Sequence, residues 1–121
     1  MTHVLLVEDH ARLRHILGQM LTAMGLKVTA AESGDHAVRL LATGLSPDVL
    51  LSDIRMPGGL DGLGLARWVQ AHNPSMVILL QTGFAEISTS EFRILRKPVA
   101  PEQLLAAIEE GLRCCAELPA K

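Results

Sequence analysis

Two short runs, Val49-Leu50-Leu51 and Met76-Val77-Ile78-Leu79-Leu80, are apolar without interruption and are bounded by turn residues. Runs of this kind predict strands buried on both faces. His3-Val4-Leu5-Leu6-Val7 and Lys27-Val28-Thr29-Ala30-Ala31 are further β-type segments, and Phe92-Arg93-Ile94-Leu95-Arg96 reads as a fifth strand, placed at an edge by its arginines. Between the strands the apolar period changes to that of a helix. Leu13, Ile16, Leu17, Met20, Leu21 and Met24 form one apolar stripe, with Arg12, Arg14 and Gln19 between them and Gly25 as the stop. Ser33 or Asp35 can cap a helix carrying Ala37, Val38, Leu40 and Leu41 that ends near Gly44. Asp61 can cap a third helix through Leu63, Leu65, Ala66 and Val69, closed before Pro74. Pro101 occupies a first helical position, with Glu102 and Gln103 beside it, and Leu104, Leu105, Ile108 and Leu112 follow on one face.

Strands that alternate with helical segments predict a mostly parallel sheet, and right-handed crossovers put helices on both of its faces. The expected fold is α/β: a flavodoxin-like three-layer αβα sandwich around a five-stranded parallel sheet of order 2-1-3-4-5. At 121 residues the chain is read as one domain, 1–121. Hydrophobic residues make up 49%, yet no run approaches the ~18 residues of a membrane span, and no signal peptide is visible. Eleven Lys and Arg against thirteen Asp and Glu leave a net charge of −2, which gives no support to a nucleic-acid-binding surface. The two cysteines, Cys114 and Cys115, are neighbours that rarely pair, so a reduced, cytoplasmic compartment is expected.

Composition does not name a chemistry, but the strand ends do. Glu8 and Asp9 follow the first strand, Asp53 ends the third, Thr82 the fourth and Lys97 the fifth. Parallel strands all end on one edge, where ligands of open α/β sheets bind. Three carboxylates about 5 Å apart repel by roughly 3 kcal/mol per pair at an effective dielectric near 20. Such a cluster holds a proton or recruits a cation, and its all-oxygen ligands suit Mg²⁺ or Mn²⁺. A carboxylate flanked by a divalent ion, an ammonium and a hydroxyl is a good phosphoryl acceptor, because metal and lysine neutralise the phosphoryl oxygens. The bland alternatives are a strand-end carboxylate for Asp53, helix capping for Glu8-Asp9 (a role Asp9 could combine with metal binding), a strand-end hydroxyl for Thr82 and a solvated charge for Lys97. The five histidines (His3, His10, His15, His36, His72) have no metal-ligand spacing and are read as surface or half-buried, and Trp68 as packing beside Leu65, Ala66 and Val69.

Val7-Glu8-Asp9, Ser52-Asp53-Ile54-Arg55-Met56-Pro57, Thr82-Gly83 and Lys97-Pro98 occur in an order, and at strand ends, that resembles the receiver domains of two-component response regulators over nearly the whole chain. The resemblance implies a phospho-accepting signalling domain rather than an enzyme. Asp53 would be the phosphorylation site, with a histidine kinase or phosphotransfer protein as donor. Asp9 would hold Mg²⁺ directly and Glu8 mostly through water, with Asp53 and the Arg55 backbone carbonyl as further ligands. Lys97 would pair with Asp53 and then with the phosphoryl group, Thr82 would bond a phosphoryl oxygen, and Gly83 would leave room for the donor. Phe84 and Arg55 are expected to slow hydrolysis of the phospho-aspartate.

Three features depart from the family pattern. Lys97 follows Thr82 by only fifteen residues, so the helix between the fourth and fifth strands should be a stub within 85–91 or absent. Ile94 stands where many receivers carry a Tyr or Phe that swings inward, which puts the coupled switch with Thr82 in question. The turn Pro57-Gly58-Gly59-Leu60-Asp61-Gly62 is one residue longer than usual. The Gly-Gly turn and the short connection resemble receivers fused to hybrid histidine kinases. Two rivals remain: a receiver-like interaction or homodimerisation module that works without phosphorylation, and a Mg²⁺-dependent phosphohydrolase. The latter needs an acid/base Asp two residues after the nucleophile, where this chain has Arg55. No DNA-binding module follows within the 121 residues, so transcriptional output, membrane contact and nucleic-acid binding are not expected of this chain itself.

Overall fold

The computed structural model describes residues 1–56, 59–83 and 92–117, with side chains to residue 114. Its elements run β1 (His3–Val7), α1 (Ala11–Ala23), β2 (Lys27–Ala31), α2 (Gly34–Ala42), β3 (Val49–Asp53), α3 (Gly62–His72), β4 (Val77–Thr82), β5 (Arg93–Arg96) and α4 (Pro101–Glu117). All neighbouring strands are parallel and the sheet order is β2-β1-β3-β4-β5, as expected. The segment 85–91 between β4 and β5, where a helical stub or no helix is expected, lies outside the described residues.

The apolar runs are continuous because strand alternation divides them between two helical layers. Val4, Leu6, Val49, Leu51, Val77 and Leu79 pack against α1 and α4, around Leu21, Leu104 and Ile108. The alternate residues Leu5, Val7 and Leu50 pack against α2 and α3, on Ala37, Leu65 and Val69. β2 and β5 lie at the edges and are only partly buried. The helix stops behave as read: Gly25 and Gly44 take φ of 89° and 103°, a region costly for residues with a Cβ.

Several local expectations are corrected. Asp9 does not cap α1; His10 does, its Nδ1 accepting from Leu13 N–H at 3.4 Å. Ser33, not Asp35, caps α2, while Asp61 caps α3 as expected. The α1 stripe is too wide for its sheet: Leu21 is buried, but Leu13 and Ile16 are 41% and 50% exposed. The stripe of α4 runs through Leu104, Ala107 and Ile108, with Leu105 half-buried at its margin. β4 begins at Val77 and β5 at Arg93, so Met76 and Phe92 are buried just outside the strands. Trp68 packs at the edge of the α2–α3 layer and stacks on His72 at 4.0 Å.

Candidate functional site

Register brings the expected residues together. Val7 lies beside Ser52, so Glu8 comes alongside Asp53; Asp53 lies beside Gln81, and Thr82 beside Arg96, one residue before Lys97. The ladder continues past the strands: Ile54 N–H donates to the Gln81 carbonyl at 2.9 Å and Lys97 N–H to the Thr82 carbonyl at 2.8 Å. One carboxylate oxygen from each of Glu8, Asp9 and Asp53 lies within 4.8 Å of the other two. Lys97 Nζ donates to Asp53 Oδ2 at 3.0 Å and stands 3.9 Å from Glu8 Oε2. Glu8 is buried, Asp53 is nearly so with its side chain 14% exposed, Lys97 is half-buried and Asp9 is exposed.

The arrangement fits a small hard cation. An octahedral Mg²⁺ with bonds of about 2.1 Å sets its ligand oxygens about 3–4 Å apart. The three carboxylates need little contraction to meet that, and the exposure of Asp9 leaves water a place in the shell. Thr82 is buried at the end of β4. Among the described residues, a Cβ added at Gly83 would meet nothing within 4 Å. Arg55 is exposed, two residues beyond Asp53. Ile94 is half-buried and packs with Ile54, Ala66, Leu80 and Phe92, which makes the expected switch position an aliphatic one. Phe84 and Pro57 lie outside the described residues.

Residues outside the expected set shape the site. Arg14 Nη1 donates to the Glu8 carbonyl at 2.8 Å, and His10 N–H reaches Glu8 Oε1 at 3.4 Å. The α1 pattern marks Arg14 only as a polar-face residue, so sequence spacing carries no signal for this contact. Gly62 is different: a Cβ there would overlap the Asp53 carbonyl oxygen and crowd the Ile54 Cα, so only glycine lets α3 start against the end of β3. Gln81 is also outside that set. It is buried, and among the described residues its Nε2 is the buried side-chain nitrogen without a hydrogen-bond partner, at a cost of about 1–3 kcal/mol. The signal was a polar residue closing an apolar run just before Thr82.

Burial raises the Glu8 carboxyl above its usual range; Lys97 pulls it down less strongly, while Asp53 and Asp9 add to the rise. The folded chain therefore holds this proton more tightly than the unfolded one. Its stabilising contribution is complete below the unfolded value of about 4.3 and is lost as pH climbs through the raised folded value. Glu8→Gln, melted without divalent metal, should gain stability relative to wild type progressively from about pH 4.3 upward. A constant difference in Tm across that range would refute the assignment.

Residues 4–109 match the family described as response regulator receiver domain. The chain is 32% identical over 114 residues to the DNA-binding transcriptional regulator NtrC of Klebsiella pneumoniae, covering 88% of this chain and 24% of that protein. It is 35% identical over 117 residues to the transcriptional regulatory protein GlrR of Escherichia coli, covering 91% and 26%. The chain thus spans roughly a quarter of the length of these curated relatives. Among solved structures, a response regulator receiver protein from Sinorhizobium medicae superposes with a TM-score of 0.86 at 31% identity, covering 94% of this chain and 96% of that one. The receiver domain of a signal transduction histidine kinase from Syntrophus aciditrophicus shares the fold, with a TM-score of 0.83 at 23% identity and coverage of 100% and 97%.

Proposed function

This chain belongs to the response regulator receiver domain family, and from that premise we propose that Asp53 is its phosphoryl acceptor and that Glu8, Asp9 and Asp53 hold Mg²⁺. The observation that carries the reading is the Lys97–Asp53 pair, at 3.0 Å, set into a three-carboxylate cluster. A carboxylate paired with an ammonium, at the carboxyl edge of the sheet, is a nucleophile already placed beside the charge its product needs.

In this reading an Asp53 oxygen attacks the phosphorus of a donor phosphohistidine. The O–P bond forms as the P–N bond breaks, and the imidazole leaves with the donor. Lys97 stays within reach of both the acceptor carboxylate and the incoming phosphoryl oxygens. The Thr82 hydroxyl is the group on β4 suited to bond one of those oxygens, and the lack of a side chain at Gly83 favours entry of the donor. Bound Mg²⁺ would neutralise charge on the phosphoryl oxygens in transfer. Arg55 is proposed to contribute its backbone carbonyl to that ion, and with Phe84 to shield the acyl phosphate from water. Among the described residues no helix is long and apolar enough to cross a membrane, and we assign the domain to the cytoplasm.

The protein donor is a histidine kinase or phosphotransfer protein, and α1 is its proposed dock. Leu13 and Ile16 are a helical turn apart, exposed, and on the side of α1 next to Lys97 and Pro98. Leu13→Asp or Ile16→Asp is expected to lower the rate of transfer from a phosphorylated kinase at least tenfold, with labelling by acetyl phosphate and Tm little changed, because neither side chain is in the core. Equal losses with both donors would move the dock elsewhere. Intact mass after incubation with Mg²⁺ and acetyl phosphate tests the reading itself. A gain of one phosphoryl group supports it, and no gain in a protein that binds Mg²⁺ favours a phosphorylation-independent interaction module.

A further inference from the structure

β4 is apolar through Leu80 and then turns polar at Gln81. Strand alternation sets Gln81 on the α1–α4 face of the sheet with Val77 and Leu79, directly beside Asp53 in the ladder. There it lines a groove of about 360 Å³. Leu13 and Ile16 of α1 form one wall, Pro98 and Val99 the other, and Lys97 borders it as well, so the groove is continuous with the residue paired to Asp53. The surroundings are apolar, yet the amide nitrogen of Gln81, itself buried, has no hydrogen-bond partner among the described residues. A lone buried donor in an apolar groove is a feature that favours one kind of occupant. It discriminates strongly, because an occupant without an acceptor leaves the amide unpaired.

We propose that Gln81 is a specificity-determining residue for the protein phosphodonor: a short oxygen-bearing side chain of a donor helix (Ser, Thr or Asn) enters the groove between Leu13 and Pro98 and accepts a hydrogen bond from the Gln81 amide, which turns its buried nitrogen toward the groove to donate it. The inference rests on the phosphoryl-acceptor reading. Charge selects the rest of the occupant. α1 carries Arg12, Arg14 and His15 and has no Asp or Glu, so the matching donor face is acidic around its apolar contacts. A donor seated there lies next to Lys97, which places its phosphohistidine on the side of the sheet from which Asp53 is reached.

The test compares wild type with Gln81→Leu and Gln81→Met, variants that keep the volume and remove the amide. The donors are a panel of purified, autophosphorylated histidine-kinase catalytic fragments and, separately, acetyl phosphate. Against the kinase that wild type prefers, both variants should lose at least tenfold in kcat/KM, chiefly through KM, and the ranking of kinases should flatten. Labelling by acetyl phosphate should stay within about twofold, and Tm should hold or rise by a few degrees as the unpaired amide is removed. Unchanged kinase rates and ranking would overturn the proposal. So would an equal loss with acetyl phosphate, which would make Gln81 a support of the acceptor carboxylate. Self-association of wild type that either variant abolishes, seen by light scattering, would assign the groove to a second copy and also overturn it. Failure of wild type to label with any donor would defeat the acceptor reading, and this inference with it.

Discussion

Asp53→Asn is expected to abolish phosphoryl gain from acetyl phosphate in Mg²⁺, a loss of three orders of magnitude or more, roughly 4 kcal/mol in the barrier. Asn keeps the shape of the side chain and an oxygen that can accept from Lys97, but it has no anionic oxygen with which to attack phosphorus. The substitution also removes one of three mutually repelling carboxylates, each pair interacting by roughly 3 kcal/mol at an effective dielectric near 20. Loss of the pairing with Lys97 opposes that relief. Stability should therefore move by only a few degrees in Tm while acceptance vanishes. Intact mass and a thermal melt on the same samples separate the two effects. Phosphoryl gain that survives the substitution would place the acceptor on Glu8 or Asp9. Loss of gain together with collapse of Tm would assign Asp53 a structural role.

Gly62→Ala should be the most damaging of the glycine-to-alanine changes among the described residues. The added Cβ would overlap the carbonyl oxygen of Asp53 and crowd the Ile54 Cα, and both are backbone atoms that cannot rotate away. Either α3 or the end of β3 must shift, although Gly62 N–H also donates to the Ile54 carbonyl at 2.8 Å. Overpacking of this kind costs about 3 kcal/mol, or roughly 10 °C in Tm. Because the crowded atoms include the backbone carbonyl of Asp53 itself, phosphoryl acceptance should fall along with stability. Gly64→Ala is the control. Its Cβ would meet Leu60 Cδ1 at 2.8 Å, the far end of a side chain that can turn, and Ala favours the helix by about 1 kcal/mol. Gly64→Ala should be near neutral in both readouts, and equal effects of the two variants would refute the close-approach argument.

Most of the architecture was legible in the chain because its signals are local. β1, β2 and β3 were read from runs such as His3–Val7 and Val49–Asp53, whose residues all prefer the same state. Asp61 and Gly25 announced their helix ends through capping and positive φ, properties of the residue itself. The site was legible for a related reason. In a parallel sheet every strand ends on one edge, so Glu8, Asp9, Asp53 and Lys97 had to converge once the strand order was known.

Periodicity misled where burial depends on a partner surface. The apolar stripe of α1 is real, but the sheet beneath it covers Leu21 and leaves Leu13 and Ile16 outside. Asp9 has the chemistry of a cap, yet the chain turns one residue later and His10 takes the role.

The sequence by itself determined the βα order, the parallel sheet and the set of charged groups at its edge, since each follows from residue type and period. Only the tertiary structure decided the distances and the vacancies. It sets Lys97 on Asp53, allows no atom beyond hydrogen at Gly62, and closes an apolar groove beside Gln81, whose Nε2 has no partner among the described residues. The reason is physical: hydrogen bonds and packing join residues far apart in the chain, such as Asp53 and Lys97, and no local preference encodes which atoms will face each other when the layers close.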